Sequence, residues 1–180
     1  MGKLKKAVAY LSGAMDAAPD LGMGWRDKFT QLSAHLGIVI INPCRKPPGC
    51  TVEVRNGHRV ASTLRESKDW VGMQKFVNRL RREDLRYTDI SDMLVVYIDP
   101  DVPSYGTPDE IYTAERQKKP LFCIIKGGIE RLPVWLFGVF ELHEIFSTVE
   151  ECVSHLEKID SGEIPLDARW VLIRDYLESI

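Results

Sequence analysis

Histidine and cysteine are scarce in this chain, with 4 of each among 180 residues. The cysteines, Cys44, Cys50, Cys123 and Cys152, show no CxxC spacing. Cys44 and Cys50 flank a proline-rich loop with few histidines nearby, which is a weak metal signal. The four thiols read as the reduced thiols of a cytoplasmic protein, with Cys123 buried in an apolar strand. No run approaches the ~18 apolar residues of a membrane span, and the short N-terminal apolar run carries no cleavage pattern, so neither a membrane segment nor a signal peptide is expected. An excess of one charge is also missing: 24 Lys and Arg stand against 26 Asp and Glu, for a net charge of −2. That balance lacks the basic footprint of a protein that grips a nucleic-acid polymer, and Lys3, Lys5 and Lys6 read as a solubilising flank. Walker A, GxGxxG and GxSxG motifs are absent, so the classical NTPase, Rossmann dehydrogenase and serine-hydrolase readings lack their residues. No cofactor and no metal is expected.

What is present is an alternation of strand and helix patterns. Ala7–Leu11 reads as a first strand, closed by the small-residue turn Ser12 to Asp16. A helix follows from about Trp25 to Leu36, with Trp25, Phe29, Leu32 and Leu36 on one face and Gly37 as its stop. Ile38–Ile41 is a second strand, parallel to the first through a right-handed crossover. Thr51–Val60 reads as a β-hairpin around Asn56-Gly57, inserted where it could cover a site. Ser67 can cap a helix running to about Arg86, on which Arg79, Arg81 and Arg82 form a solvated face. Met93–Ile98 and Leu121–Ile125 are further apolar strands, and His143–Phe146 is a short fifth. Ser147 to Glu150 reads as a capping box that opens a helix to about Ile159, and Asp167–Leu177 as a terminal helix. The expectation is one domain of 180 residues: a doubly wound, flavodoxin- or Rossmann-like α/β sheet of about five parallel strands with helices on both faces.

The chain is organised around residues 92–110. The strand Met93–Ile98 runs into the turn-rich loop Asp99 to Gly106. A helix start then follows, with Thr107 suited to the N-cap, Pro108 to the first turn, and Asp109 and Glu110 just inside. Open α/β sheets bind ligands outside the carboxyl ends of their strands, and free N–H groups at a helix start favour anions. Thr107-x-x-Glu110 is equally a capping box, so on these residues alone Glu110 is either a helix cap or a reactive carboxylate. Tyr10, Asp84, Ser104 and Glu110 form a set of carboxylates and hydroxyls placed near strand ends. Two carboxyl groups flanking a glycosidic bond can run a retaining displacement, one attacking the anomeric carbon and one serving the leaving group.

Tyr10-Leu-Ser-Gly13, Asp84 eight residues before Asp92, Ser104-Tyr-Gly-Thr-Pro-Asp-Glu110 and Lys119-Pro120 stand in this order from residue 7 to about 125. In that order and spacing the chain resembles the nucleoside 2-deoxyribosyltransferase family, including its branch that cleaves nucleoside 5′-monophosphates. The resemblance implies Glu110 as the nucleophile, Asp84 as proton donor or positioner of the base, and Tyr10 beside the nucleophile. It also implies substrate contacts from Ser12, Gly13, Ser104, Gly106 and Thr107, with phosphate contacts from Ser12, Gly13 or Arg26. Ser104 stands where relatives acting on free nucleosides tend to carry Asp, which leans towards a 5′-monophosphate. A small-molecule nucleoside or nucleotide is the implied partner, together with a homodimer or larger homo-oligomer. Pro108-Asp109 replaces the small residues usual before the nucleophile. Trp135 and Phe137 could stack on a base, although core or a dimer interface is the commoner use of such a stretch. Two other readings stand beside this one. A non-catalytic nucleotide-binding or sensing module would use the same fold. A cytokinin-type phosphoribohydrolase shares a Gly-Thr-x-x-Glu loop, but the glycine-rich run before it is missing here.

Overall fold

The computed structural model describes residues 2–46, 50 and 57–171. Five strands, β1 (Val8–Gly13), β2 (Val39–Ile41), β3 (Met93–Ile98), β4 (Leu121–Ile125) and β5 (Ile145–Phe146), form one sheet in the order β2-β1-β3-β4-β5, and every pair is parallel. The strands are apolar on both faces because helices cover both. Ala9, Leu11, Met93, Val95, Phe122 and Ile124 point to one side, where they pack with residues of α1 (Met23–Leu32) and α5 (Val149–Ser161) such as Phe29 and Leu156. The alternate residues Tyr10, Leu94, Val96, Leu121, Cys123 and Ile125 point to the other, against Ile111 and Ala114 of α4 (Gly106–Arg116). The doubly wound sheet is thus as the sequence predicts. Among the described residues, no helix is long and apolar enough to cross a membrane.

Several boundaries differ from the expectation. β1 runs two residues further, so Ser12 and Gly13 are strand rather than turn. The first helix stops at Leu32, and a separate 3-10 turn, Ala34–Leu36, leads to Gly37, whose φ of 67° ends it as expected. Leu32 is exposed, while Phe29 and Leu36 are buried. Of the predicted hairpin, residues 51–56 lie outside the described residues, and His58–Val60 begin a helix, α2 (His58–Glu66). Ser67 therefore caps the end of α2, and the next helix, α3 (Trp70–Ile90), is capped by Asp69, whose carboxylate accepts from the Gly72 N–H. Aspartate is as good a cap as serine, and proximity in sequence hid the choice.

The capping box of α5 is shifted by one residue. Thr148 accepts from the Glu151 N–H, and Glu151 accepts in turn from Ser147 N–H. Trp135 and Phe137 are not core: they sit in a 3-10 segment, Val134–Gly138, exposed to 79% and 43%, while Leu132 and Phe140 carry the burial. Of the predicted terminal helix, residues 172–177 lie outside the described residues. The tract 167–170 before them is not helical.

Candidate active site

The strand order reverses between β1 and β3, both of which neighbour each other while their connections leave in opposite directions. That switch point is where an open α/β sheet forms a crevice. Tyr10 and Ser12 are two residues apart on β1, so their side chains share one face of the sheet. It is the face that α4 covers. On α4 the buried residues are Thr107, Glu110, Ile111 and Ala114, the i, i+3, i+4, i+7 spacing of a single helical face. Glu110 is therefore carried inward with the apolar residues.

The Glu110 carboxylate is held by two hydroxyls of β1. Tyr10 Oη donates to its Oε1 at 2.9 Å, and Ser12 Oγ donates to its Oε2 in a short contact. Glu110 is 9% exposed, and Tyr10 and Ser12 are buried. Burial pushes the Glu110 carboxyl up to about 7; the negative charge of Asp84 adds to this, while the hydrogen bonds from Ser12 and Tyr10 and the positive charge of Arg26 pull the other way. This arrangement corrects the capping-box reading. α4 starts at Gly106 with Tyr105 in the cap position, and Thr107 lies inside the helix. The Thr107 N–H is met at 3.4 Å by Ser104 Oγ, which also shares a 2.7 Å hydrogen bond with Thr107 Oγ1. Ser104, Gly106 and Thr107 thus stand together at the start of the helix that bears Glu110. A Cβ placed on Gly106 would meet nothing within 4 Å, so the chain is open there.

Asp84 approaches from α3, and its charge is felt at Glu110. Its Oδ1 lies 2.7 Å from Nζ of Lys46, which stands beyond the carboxyl end of β2. Tyr87, one turn along α3, stacks on Tyr10 with ring centroids 6.4 Å apart. Its hydroxyl is 3.1 Å from Cys50 Sγ, and that contact, with burial second, raises the phenol to about 12, so it stays neutral.

Arg26 and Gly13 build the loop between β1 and α1. The buried guanidinium donates to the carbonyls of Leu11 (3.1 Å), Gly22 (2.7 Å) and Gly13 (2.9 Å), and it lies 4.7 Å from the Trp25 ring. Its donors are directed at backbone, which makes it a brace for the loop. Gly22 has φ of 70°, and a Cβ there would stand 2.4 Å from the Ala14 carbonyl, so only glycine fits. Gly13 is also tightly enclosed: a Cβ there would stand 3.0 Å from both the Tyr97 carbonyl oxygen and Trp25 Cζ2.

Of the residues singled out in the sequence, Tyr10, Ser12 and Glu110 are in contact, and Asp84 lies near enough for its charge to raise the Glu110 carboxyl. Lys46 and Tyr87 were missed. The usable signal for Lys46 was its position past the carboxyl end of a strand; for Tyr87 it was its spacing three residues from Asp84 on a helix. A cleft of about 720 Å3 opens along α3, lined by Arg79, Arg82, Glu83, Arg86 and Tyr87 among others. It adjoins the Asp84 side of the site and does not contain Glu110. Among the described residues, no three His, Cys, Asp or Glu side chains are grouped so as to hold a metal ion.

No family model matches the chain, and no curated protein matches it. Solved structures do. A 2-deoxyribosyltransferase from Leishmania mexicana superposes with a TM-score of 0.52 at 16% identity, covering 84% of this chain and 97% of the other. A 2-deoxyribosyltransferase from the psychrotolerant bacterium Bacillus psychrosaccharolyticus, a biocatalyst for nucleoside synthesis, gives 0.54 at 14% identity over 83% and 96%. A conserved protein from Enterococcus faecalis gives 0.56 at 14% over 85% and 98%. The similarity spans nearly the whole length of each relative, and on it this chain has the fold of the 2-deoxyribosyltransferases.

Proposed function

We propose that this protein cleaves or transfers the N-glycosidic bond of a (2-deoxy)nucleoside or its 5′-monophosphate, through a covalent glycosyl-enzyme intermediate on Glu110. The observation that carries the reading is a carboxylate buried at the switch point and held by two hydroxyls, with a second carboxylate, Asp84, close enough for its charge to raise it. In the first step a Glu110 oxygen bonds to the anomeric carbon. The carbon–nitrogen bond breaks, and its electron pair leaves with the base, which takes up a proton. In the second step water, or a second base, displaces Glu110 and restores the free carboxylate. Burial suits this role because a carboxylate stripped of water is a stronger nucleophile than a solvated one, and Tyr10 and Ser12 fix its direction. Asp84 stands on the base side, as proton donor or as the group that positions the base. Ser104 and the open N-terminus of α4 suit the 5′ end of the sugar, where a hydroxyl and backbone N–H groups favour a phosphate and a carboxylate would repel it.

The deoxyribosyltransferase fold of the solved relatives supports this reading, since fold is the setting and the Glu110 group is the site. A panel of nucleosides and nucleoside 5′-monophosphates, assayed for free base and for base exchange, tests it. Base release or exchange is expected, with the monophosphates preferred. A panel from which no base is freed or exchanged overturns it.

A further inference from the structure

Among the described residues, two buried cations, Arg26 and Lys46, serve the surroundings of Glu110, and they are used differently. Arg26 gives its donors to backbone carbonyls. Lys46 instead rests on carboxylates: its Nζ is 2.7 Å from Asp84 Oδ1 and 3.8 Å from Glu83 Oε2, and 6.0 Å from the centre of the Tyr87 ring. The Lys46 side chain is 1% exposed, whereas that of Asp84 is 15% exposed. Asp84 is thus the more exposed member of the pair, and its charge is felt at Glu110. An ammonium removed from water requires a counter-ion, and an ammonium at contact distance favours the charged form of a carboxylate.

We propose that Lys46 is a positioning residue that holds Asp84 as a carboxylate directed into the site. Asp84 then accepts a hydrogen bond from the base instead of donating a proton, and the base takes its proton from solvent. The reactive form of the site has Asp84 and Glu110 both ionised and Lys46 protonated. This inference rests on the proposed role of Glu110. Among the described residues, the charged and titratable groups around Asp84 and Glu110 come from four elements and from the segment after β2. β1 contributes Tyr10 and Ser12, and α1 contributes Arg26. From α3 come Glu83, Asp84, Tyr87 and Arg79, which bonds Glu83 at 3.1 Å, and from the segment after β2 come Lys46 and Cys50. On α4 itself, Asp109 is turned outward to Arg81 at 2.5 Å. Two facing carboxylates titrate as a coupled pair, so the proton that leaves last sets the acid limb of activity. Lys46 keeps that limb low by offsetting the second negative charge.

The test uses the full chain as wild type, Lys46→Met and Lys46→Arg. Two readings are taken: the pH dependence of kcat/KM for base release, and the titration of side-chain carboxyls by NMR in protein labelled with 13C at Asp and Glu carboxyls. Glu110→Gln and Asp84→Asn assign the two signals. In wild type, Asp84 is expected to be ionised at neutral pH. In Lys46→Met the last proton leaves the pair at least about one pH unit higher, and the acid limb moves with it. The result at neutral pH is roughly a tenfold loss of kcat/KM, recovered at higher pH. Lys46→Arg restores the limb. A uniform loss at every pH with the limb unmoved would reduce Lys46 to a packing role and overturn the proposal. So would a wild-type spectrum in which Asp84 is protonated at neutral pH, a reading that stands even if Lys46→Met does not fold. The carboxyl titration needs no turnover, so a protein that frees no base refutes the glycosidase reading while the spectrum still decides the role of Lys46.

Discussion

At Glu110 two opposing effects meet. Burial drives its proton on, and hydroxyls from Tyr10 and Ser12 draw its charge out. Burial wins, and the carboxyl rises from 4.5 to about 7. A folded value above the unfolded one means that the folded chain binds more proton between the two. The stability from this group is fully present below about pH 4.5 and is lost as pH rises through about 7. Glu110→Gln removes the titration and retains an oxygen that accepts from Tyr10. The variant is expected to melt higher than wild type at pH 8, by up to about 3 kcal/mol, with the difference shrinking as pH falls towards 5. Thermal melts of both proteins across that range check this. An unchanged difference at all pH would mean that Glu110 titrates normally. The choice between a cap and a reactive group was open in the sequence because Thr107-x-x-Glu110 fits both. Only the placement of Tyr10 and Ser12, 98 to 100 residues earlier in the chain, decides where the carboxylate points.

Among the elements, the connection from β1 to α1 depends most on one side chain. Arg26 brings Leu11, Gly13 and Gly22 together by their carbonyls, and it is fully buried. Arg26→Met removes the donors and leaves three acceptors facing each other. A loss of at least about 3 kcal/mol is expected in urea unfolding, since each buried group left without a partner costs roughly 1–3 kcal/mol. Lysine should not rescue it, because one ammonium cannot span the fork. A loss below about 1 kcal/mol would show that water replaces the guanidinium readily. This brace was not legible in the sequence: Arg26 follows Trp25 in a helix whose charged residues otherwise face solvent. By contrast β3 and β4 match their expected ranges residue for residue, because buried parallel strands read as unbroken apolar runs. Residues 58–60 read as the end of a hairpin because Asn56-Gly57 is a strong hairpin signal. The following residues, from His58 to Glu66, fold as a helix with no buried residue of their own, so no core periodicity opposed that signal.

Over the whole molecule, the last described residues are tied to the sheet by charge as well as by packing. Arg169 makes a two-pronged contact with Glu144, at 2.9 and 2.6 Å, and also bonds Asp167. The Glu144 side chain is 3% exposed, and Trp170 beside the pair is buried against Phe122. Arg169→Met strands a buried carboxylate and is expected to cost about 3–5 kcal/mol in chemical unfolding. Arg169→Met with Glu144→Met should recover most of it, because an apolar pair of similar volume carries no desolvation penalty. No recovery in the double variant would mean that packing of Trp170, not the ion pair, is what the single change disturbs. The five-stranded parallel sheet was readable from strand spacing alone. What was not readable is how side chains far apart in sequence share the site, Lys46 with Asp84 above all, since no periodicity links them.

The measurement that bears most directly on the central claim is base release by wild type and Glu110→Gln, side by side on the substrate the wild type prefers. Far-UV circular dichroism and melting curves of both confirm the fold. The account predicts release by wild type and a loss of about a thousandfold or more in a folded variant. Equal release by both proteins would contradict it and leave Glu110 without a catalytic role.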